Sequence, residues 1–246
     1  MKSLFLKIIT FIIIITFFIP KISKAQNNIS IILDKLTIKK GYTLKSIDKN
    51  FTLGLWPGFA SEDLNNVEVA INDFGRDFAV IQDNKNLISN LYEFEIKTLD
   101  FEKPYVLILN YDSENESEKA IYFYNQALNK WSEVKPSLID KDKKIIKVML
   151  KISYAKLAVL EEKPLIGKAS WYKCVGGNYA ASIKYPKKTF LKVTNLDNNK
   201  TVVVKVNDYG PDRNIHPDRV IDLDVVAFKK IADKHLGIIN VKVEKL

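Results

Sequence analysis

Hydrophobic and polar residues alternate in short runs along the chain from about residue 29 to residue 160. Eight such runs are separated by polar turns, at 30–38, 67–71, 78–82, 92–99, 105–111, 120–125, 144–150 and 156–161. A period of two is typical of strands that bury one face, and no segment of helical period lies between the runs. The pattern therefore predicts an antiparallel β-sandwich over residues 26–163.

Three features refine this sandwich. Trp131 follows the turn 126–130, so we expect it on the second arm of a hairpin, as a core or cross-strand aromatic residue. Trp56 lies in a Pro-Gly turn, where a surface platform for a ligand is the less favoured alternative to a plain loop residue. The acidic segment DSENESE (112–118) looks like a solvated hairpin tip. The sandwich contains no recognisable catalytic constellation, which suggests a spacer or adhesion module.

The last 80 or so residues have a different pattern, after a charged junction at 161–164 that ends in proline. Strands are predicted at 167–172, 190–196, 201–208, 219–223 and 238–246, and the turn 197–200 joins the second and third into a hairpin. Asp224 stands where a helix N-cap is expected, before an amphipathic stretch that Gly237 ends. This order of elements predicts a small barrel with one short helix, over residues 164–246.

The N-terminus has the layout of a secretory signal peptide. Lys2 and Lys7 precede an apolar run from Ile8 to Ile19, and the small-residue site SKA ends at Ala25. We expect cleavage after Ala25, with residues 1–25 as the signal segment. The apolar run is short for a spanning helix, although an uncleaved N-terminal anchor remains the alternative. The mature chain is expected outside the cytoplasmic membrane, in the cell envelope, either periplasmic or extracellular.

Charge is distributed unevenly along the chain, whose formal net charge is +9. From residue 164 onward there are 15 Lys or Arg against 8 Asp or Glu, whereas residues 26–163 carry 19 against 21. A basic exported domain favours an anionic partner such as a cell-wall polymer, and it is also compatible with peripheral association with a membrane surface. Nucleic acid is a poor candidate, because the lysines are scattered along strands and no recognition helix or zinc finger is apparent.

Cysteine and histidine are too scarce for several common kinds of site. Cys174 is the single cysteine, so no intramolecular disulfide forms, and a buried or incidental thiol is favoured over a catalytic one. His216 and His235 are the two histidines, and neither is near Cys174 in sequence. A structural zinc site is therefore not expected, and no cofactor is predicted.

Several motifs of the last third resemble one known family. These are GKASWY (167–172), the alanines, serine, proline and threonine within 180–189, LKVTNLDNNKTVVVKVNDYGP (191–211) and RVIDLD (219–224). In order and spacing they are similar to the double-psi β-barrel of the rare lipoprotein A family. That family comprises bacterial envelope proteins, some of which are septal lytic transglycosylases that cut peptidoglycan glycan strands. The resemblance covers about residues 165–246, where it implies a double-psi β-barrel, and the sandwich in front is not part of it. Together with the strand pattern of the sandwich, this predicts an all-β chain: an antiparallel β-sandwich followed by a double-psi β-barrel.

The resemblance also implies a candidate catalytic acid. In enzymatic members an aspartate of a VNDxGP motif acts with a histidine, and these positions map onto Asp208 and Ser182. A serine hydroxyl cannot replace an imidazole as a proton carrier near neutral pH, so the usual pair is incomplete. One aspartate could serve as acid and then as base if burial or a neighbouring carboxylate, such as Asp222, kept it protonated. The alternative is that Asp208 is a turn residue that accepts backbone hydrogen bonds.

For other residues of the same region, the sequence leaves open whether the role is structural or functional. Asp222 is expected to pair with Arg219, which would make it structural. His216, in the loop 214–219, could instead swing toward Asp208 and supply the missing imidazole. Trp171, Tyr172 and Tyr209 could form a wall of aromatic rings on which sugars stack. The equally favoured alternative is that Trp171 is an ordinary core residue. The predicted glycan-binding residues are Trp171, Tyr172, Ser182, Asn207, Tyr209, Arg219 and Asp222.

The leading hypothesis is an exported envelope protein that binds peptidoglycan glycan strands and cuts them as a lytic transglycosylase with Asp208 as acid and base. A non-catalytic wall-binding or scaffold module is the main alternative, because Ser182 occupies the histidine position. A protein-interaction factor that acts through the sandwich is a third, weaker hypothesis. The sequence does not determine the oligomeric state.

Overall fold

The computed structural model describes residues 27–61, 63–76, 84–98, 100–135, 138–173 and 175–246. The predicted signal segment, the run 78–82 and Cys174 lie outside these ranges. Within them the chain is almost entirely β-structure, in two packed sheets followed by a closed barrel. The helices in these ranges are short, and none is long and apolar enough to cross a membrane.

The first sheet has seven strands. They are β1 (Asn27–Asp34), β4 (Asn66–Asp73), β5 (Lys85–Leu87), β6 (Tyr92–Ile96), β8 (Lys119–Asn125), β9 (Lys130–Glu133) and β12 (Tyr154–Glu162). The strand order is β1-β4-β6-β12-β8-β9, with β5 also paired to β12, and every pair is antiparallel.

The second sheet has five strands in the order β10-β11-β7-β3-β2, again all antiparallel. They are β2 (Tyr42–Lys45), β3 (Phe51–Leu55), β7 (Tyr105–Asn110), β10 (Leu138–Asp140) and β11 (Ile145–Leu150). Fully buried side chains of both sheets meet in one core, for example Phe94 from the first sheet and Leu107 from the second. We call these two sheets, residues 27–162, the sandwich, and its prediction is confirmed.

The hairpin around Trp131 is also confirmed. Tyr124 of β8 pairs directly with Trp131 of β9, and their ring centroids are 5.2 Å apart. The Trp131 side chain is buried, which is the cross-strand role that the pattern favoured. Trp56 lies in the turn after β3 and is half exposed.

The first predicted strand, 30–38, is wrong in its second half. The strand ends at Asp34, and a one-and-a-half-turn helix, α1 (Lys35–Lys40), follows. The Asp34 carboxylate accepts a hydrogen bond of 2.7 Å from the Thr37 backbone N–H, so Asp34 caps the helix. The two consecutive polar residues Asp34 and Lys35 interrupt the alternation at the point where the strand ends.

The barrel follows the sandwich and closes on itself. Its strands are β13 (Leu165–Tyr172), β14 (Tyr179–Ala181), β15 (Phe190–Asn195), β16 (Thr201–Asp208), β17 (Arg219–Asp224) and β18 (Ile238–Lys245). Their order is β13-β17-β14-β16-β15-β18, and two pairs, β13 with β17 and β14 with β16, are parallel. The β15–β16 hairpin forms as predicted, but the short strand β14 was missed.

The helix of the barrel is α2 (Val225–Ile231), which is shorter than predicted. Asp224 caps it through a 2.9 Å bond from the Val226 N–H, as expected. The helix ends early because Ala232 is extended and Asp233 caps a separate 3₁₀ turn, Lys234–Leu236. The side-chain amides of Asn195 and Asn198 each bond the Ile231 carbonyl at 2.9 Å, which satisfies an acceptor at the helix end.

The acidic segment 112–118 is not the solvated hairpin tip that the sequence suggested. Ser117 is buried, the Glu116 N–H donates to the Glu244 carboxylate of β18 at 3.0 Å, and the Glu118 N–H donates to the Lys245 carbonyl at 3.0 Å. Lys192 of β15 pairs with Glu116 at 2.5 Å. The segment therefore docks the sandwich onto two basic strands of the barrel, a long-range contact that charge composition alone did not locate.

Candidate functional site

A row of four residues crosses the barrel at the end where β16 terminates. In strand register, Ser170 pairs with Asp222, Asp222 with Ala181, and Ala181 with Asp208. Residues paired directly across a ladder project from the same face of a sheet. Asp208 and Asp222 thus share a face but are separated by one strand, about 10 Å between their Cα atoms at ordinary strand spacing.

Asp208 lies at the exposed lip of this row. Its side chain is 54% exposed, so burial, one of the two conditions for a single catalytic aspartate, is not met in the free protein. One carboxylate oxygen accepts the Tyr209 backbone N–H at 2.9 Å and lies 3.5 Å from the Lys187 ammonium. The same ammonium lies 5.1 Å from the centroid of the exposed Tyr209 ring. An acid, a cation and an aromatic ring therefore meet here, and Lys187 is the member that the sequence did not reveal.

Ser182, at the position of the family histidine, serves the backbone. Its hydroxyl accepts the Tyr185 N–H at 3.1 Å, and its own N–H donates to the Asp208 carbonyl at 3.1 Å. The residue is 1% exposed. Ser182 therefore fixes the turn that begins the loop 183–189 and joins it to the end of β16. A residue so enclosed offers little surface to a glycan strand.

Asp222 is held from the side opposite Asp208. Its carboxylate accepts a short hydrogen bond from the Ser170 hydroxyl, and the Arg219 guanidinium donates to that same hydroxyl at 3.0 Å. The expected pairing with Arg219 is thus indirect, through Ser170. This arrangement provides Asp222 with a polar partner and gives it no contact with Asp208, so the idea of two neighbouring, coupled carboxylates is not supported.

The predicted aromatic wall is divided. Trp171 and Tyr172 are consecutive on β13 and so point to opposite faces. The Trp171 indole N–H donates to the Lys234 carbonyl at 3.0 Å, whereas the Tyr172 hydroxyl donates to the Asn207 side-chain oxygen at 3.2 Å. Trp171 and Tyr172 do not form one continuous surface. Tyr209 is the aromatic ring that contacts the Asp208 site.

The remaining candidates do not join this cluster. His216 donates its backbone N–H to the Asp212 carbonyl, and within the described ranges His216 makes no hydrogen bond or ion pair with Asp208. In the same ranges, no three His, Cys, Asp or Glu side chains gather as metal ligands. Asp218, farther along the loop, pairs with Lys168 at 2.7 Å, and this hydrogen bond lowers the pKa of Asp218.

The closed six-stranded barrel with its two parallel strand pairs agrees with the predicted double-psi β-barrel. A family model described as lytic transglycolase matches residues 166–243. The endolytic peptidoglycan transglycosylase RlpA of Pseudomonas aeruginosa PAO1 is 42% identical over 94 residues, and that of Vibrio cholerae is 40% identical over 92 residues. Residues 166–243 thus form an RlpA-like double-psi β-barrel, as the sequence motifs predicted.

The similarity is confined to the barrel. The matched region is 32% of this chain, and it spans 27% of the Pseudomonas relative and 34% of the Vibrio relative. Among solved structures, an apo expansin from Clavibacter michiganensis matches 34% of this chain and 50% of its own, with 27% identity and a TM-score of 0.28. The sandwich lies outside the region matched by the family model.

Proposed function

We propose that the barrel binds peptidoglycan glycan strands at the end that carries Asp208, and that the protein acts in the cell envelope after export. The observation that carries the proposal is the match of residues 166–243 to transglycosylase relatives, together with an accessible Asp208 beside Lys187 and Tyr209. An exposed ring can stack on a sugar face, while the two charged groups can bond hydroxyl or carboxylate substituents. The excess of basic residues from 164 onward favours an anionic wall polymer.

We further propose lytic transglycosylase chemistry with Asp208 as the one proton carrier. A bound glycan strand would cover Asp208 and supply the burial that a protonated carboxyl group requires. The protonated Asp208 then donates its proton to the glycosidic oxygen as the C–O bond breaks. The resulting carboxylate then takes the proton of the sugar's own C6 hydroxyl, which closes a 1,6-anhydro ring without water. Lys187, 3.5 Å away, is placed to stabilise the carboxylate between these two steps.

A non-catalytic wall-binding module is the second candidate, and one observation favours it. Ser182 stands at the histidine position and is enclosed by backbone contacts, so it cannot supply a second proton carrier. The same exposed cluster of Asp208, Lys187 and Tyr209 would then bind glycan without cleaving it.

Sacculus pelleting and product analysis separate these candidates. Purified protein is mixed with isolated sacculi, and both the bound fraction and the released 1,6-anhydro muropeptides are measured. Asp208→Asn should abolish release and leave pelleting largely intact. Asp212→Asn, which changes an exposed acid in the loop that follows β16, should behave as wild type. Pelleting without release by the wild type supports the binder. Absence of pelleting would overturn both and leave a protein-interaction role.

A further inference from the structure

A buried acid of the sandwich touches the loop that carries Lys187. Glu162 ends β12, and its side chain lies 3.5 Å from the Lys184 ammonium, with the two side chains only 12% and 26% exposed. A pair so enclosed is screened less by water and salt than a surface pair. This contact joins the sandwich to the barrel at the loop 183–189 rather than at a barrel strand.

The loop is short and tightly connected to the Asp208 strand. The Tyr185 N–H donates to Ser182, and the Lys188 N–H donates to the Val206 carbonyl at 2.8 Å. Tyr185 is buried, and Lys184 lies 5.1 Å from the centre of its ring. Burial, and then the charge of Glu162, raise the pKa of the Tyr185 phenol, which agrees with Glu162 facing this side of the loop.

Glu162 is itself fixed by the docked acidic segment. Its backbone N–H donates to the Glu118 carbonyl at 3.0 Å, and the Glu118 N–H donates to the Lys245 carbonyl of β18. The Glu118 carboxylate also pairs with the Lys245 side chain. A continuous set of contacts therefore runs from the sandwich to the loop 183–189, and Lys187 on that loop meets Asp208.

We propose that Glu162 is a positioning residue for the barrel's site: it holds the loop 183–189 through Lys184 and so places Lys187 beside Asp208. The sandwich is then a structural part of the site rather than a spacer. The importance of that site for glycan strands rests on the proposed function, but the positioning itself does not.

Amide hydrogen exchange of the full protein, measured without glycan, tests the positioning. Glu162→Gln removes the charge and keeps the shape, and it should speed exchange of the Tyr185 and Lys188 amides roughly fivefold, as expected for loss of one ion pair. Glu116→Gln is the matched control, because Glu116 pairs with Lys192 on β15 across the same interface and does not contact the loop. It should leave these two amides unchanged.

Unchanged exchange in Glu162→Gln, or equal acceleration in both variants, would overturn the proposal. If Glu162→Gln does not fold, Lys184→Met provides the same test from the other partner, and Lys184→Arg should restore wild-type exchange. In sacculus pelleting, Glu162→Gln alone should weaken binding severalfold. The double variant Glu162→Gln/Lys187→Met should bind no more weakly than Lys187→Met alone. Additive losses in that pair of variants would contradict action through Lys187, whereas a failure of the wild type to pellet would bear on the proposed function alone.

Discussion

The Lys187 ammonium lies 3.5 Å from the Asp208 carboxylate and also over the ring of the next residue, Tyr209. Lys187 comes from the loop 183–189, whereas Asp208 ends β16. Ser182 joins these two elements, because its hydroxyl accepts the Tyr185 N–H and its own N–H donates to the Asp208 carbonyl. It stands at the position where relatives are expected to carry a histidine. The site thus has an acid and a cation where the resemblance implied an acid and an imidazole.

Replacing Lys187 should affect glycan binding more than folding. Both partners of the pair are about half exposed, so Lys187→Met should change the free energy of unfolding by less than about 1 kcal/mol. Affinity for sacculi should fall, and it should depend less on salt, because one cation near the ligand is lost. Urea denaturation and pelleting across a salt series measure the two effects. If both the affinity and its salt dependence were unchanged, Lys187 would not take part in glycan binding.

Asp224 should contribute more to the free energy of unfolding than an ordinary helix cap does. It is fully buried, and its two carboxylate oxygens accept separate N–H groups, from Val226 at 2.9 Å and from Gly176 at 3.0 Å. Asp224→Ala should cost about 1–3 kcal/mol, because it leaves buried donors without a partner. Asp224→Asn keeps one acceptor oxygen and should lose less. If Asp224→Ala and Asp224→Asn were equally stable in urea, the acceptor oxygen that Asn retains would not stabilise the protein, which would contradict this prediction.

Phe228 should be the main anchor of α2. It is fully buried in the barrel core, whereas Val226 of the same helix is 39% exposed. Phe228→Ala should lower the free energy of unfolding by about 3–5 kcal/mol through lost burial and the cavity left behind. Val226→Ala, the matched control, should change it by no more than about 0.5 kcal/mol. The comparison is made by chemical denaturation, and similar costs at both positions would show that the helix is not docked as described.

The sandwich should lose stability in acid, in part through Asp48. Burial raises the pKa of Asp48, but hydrogen bonds from Ser46, Tyr92 and Asn50 outweigh it, so that the folded-state pKa is lowered. A lowered folded-state pKa stabilises the protein above the unfolded-state value of about 3.9, and this contribution disappears as the pH falls through the folded-state value.

Unfolding in urea at about pH 6 and about pH 3 measures this dependence. Wild type should be less stable at the lower pH, and Asp48→Asn should show a smaller difference between the two conditions, although its absolute stability falls. A pH dependence of identical size in the two proteins would show that Asp48 does not contribute.

Local signals made much of the fold predictable. The alternation of β4, β7 and β16 follows from one buried face per strand, and the Asp224 cap depends only on its own neighbours in the chain. The double-psi barrel was predicted from several motifs in a fixed order. Asp34 shows the limit of this approach, because the apolar content of 30–38 predicts one strand whereas the Asp34 cap divides the segment into a strand and a helix.

Contacts between distant segments could not be predicted in the same way. Lys187 is one of several lysines in its loop, and only the folded turn at Ser182 decides which of them meets Asp208. The docking of Glu116 on Glu244 likewise joins segments on opposite sides of the predicted domain boundary. Composition indicated opposite charges on the two parts of the chain but not their points of contact.

We expect glycan strands to bind the barrel at the lip formed by Asp208, Lys187 and Tyr209. Hydrogen exchange measured with and without solubilised glycan strands identifies the bound surface. We predict slower exchange within 185–189 and 207–211, and unchanged exchange in β11 of the sandwich, Ile145–Leu150. Protection confined to the sandwich, or no protection anywhere under conditions where the protein pellets with sacculi, would contradict the claim.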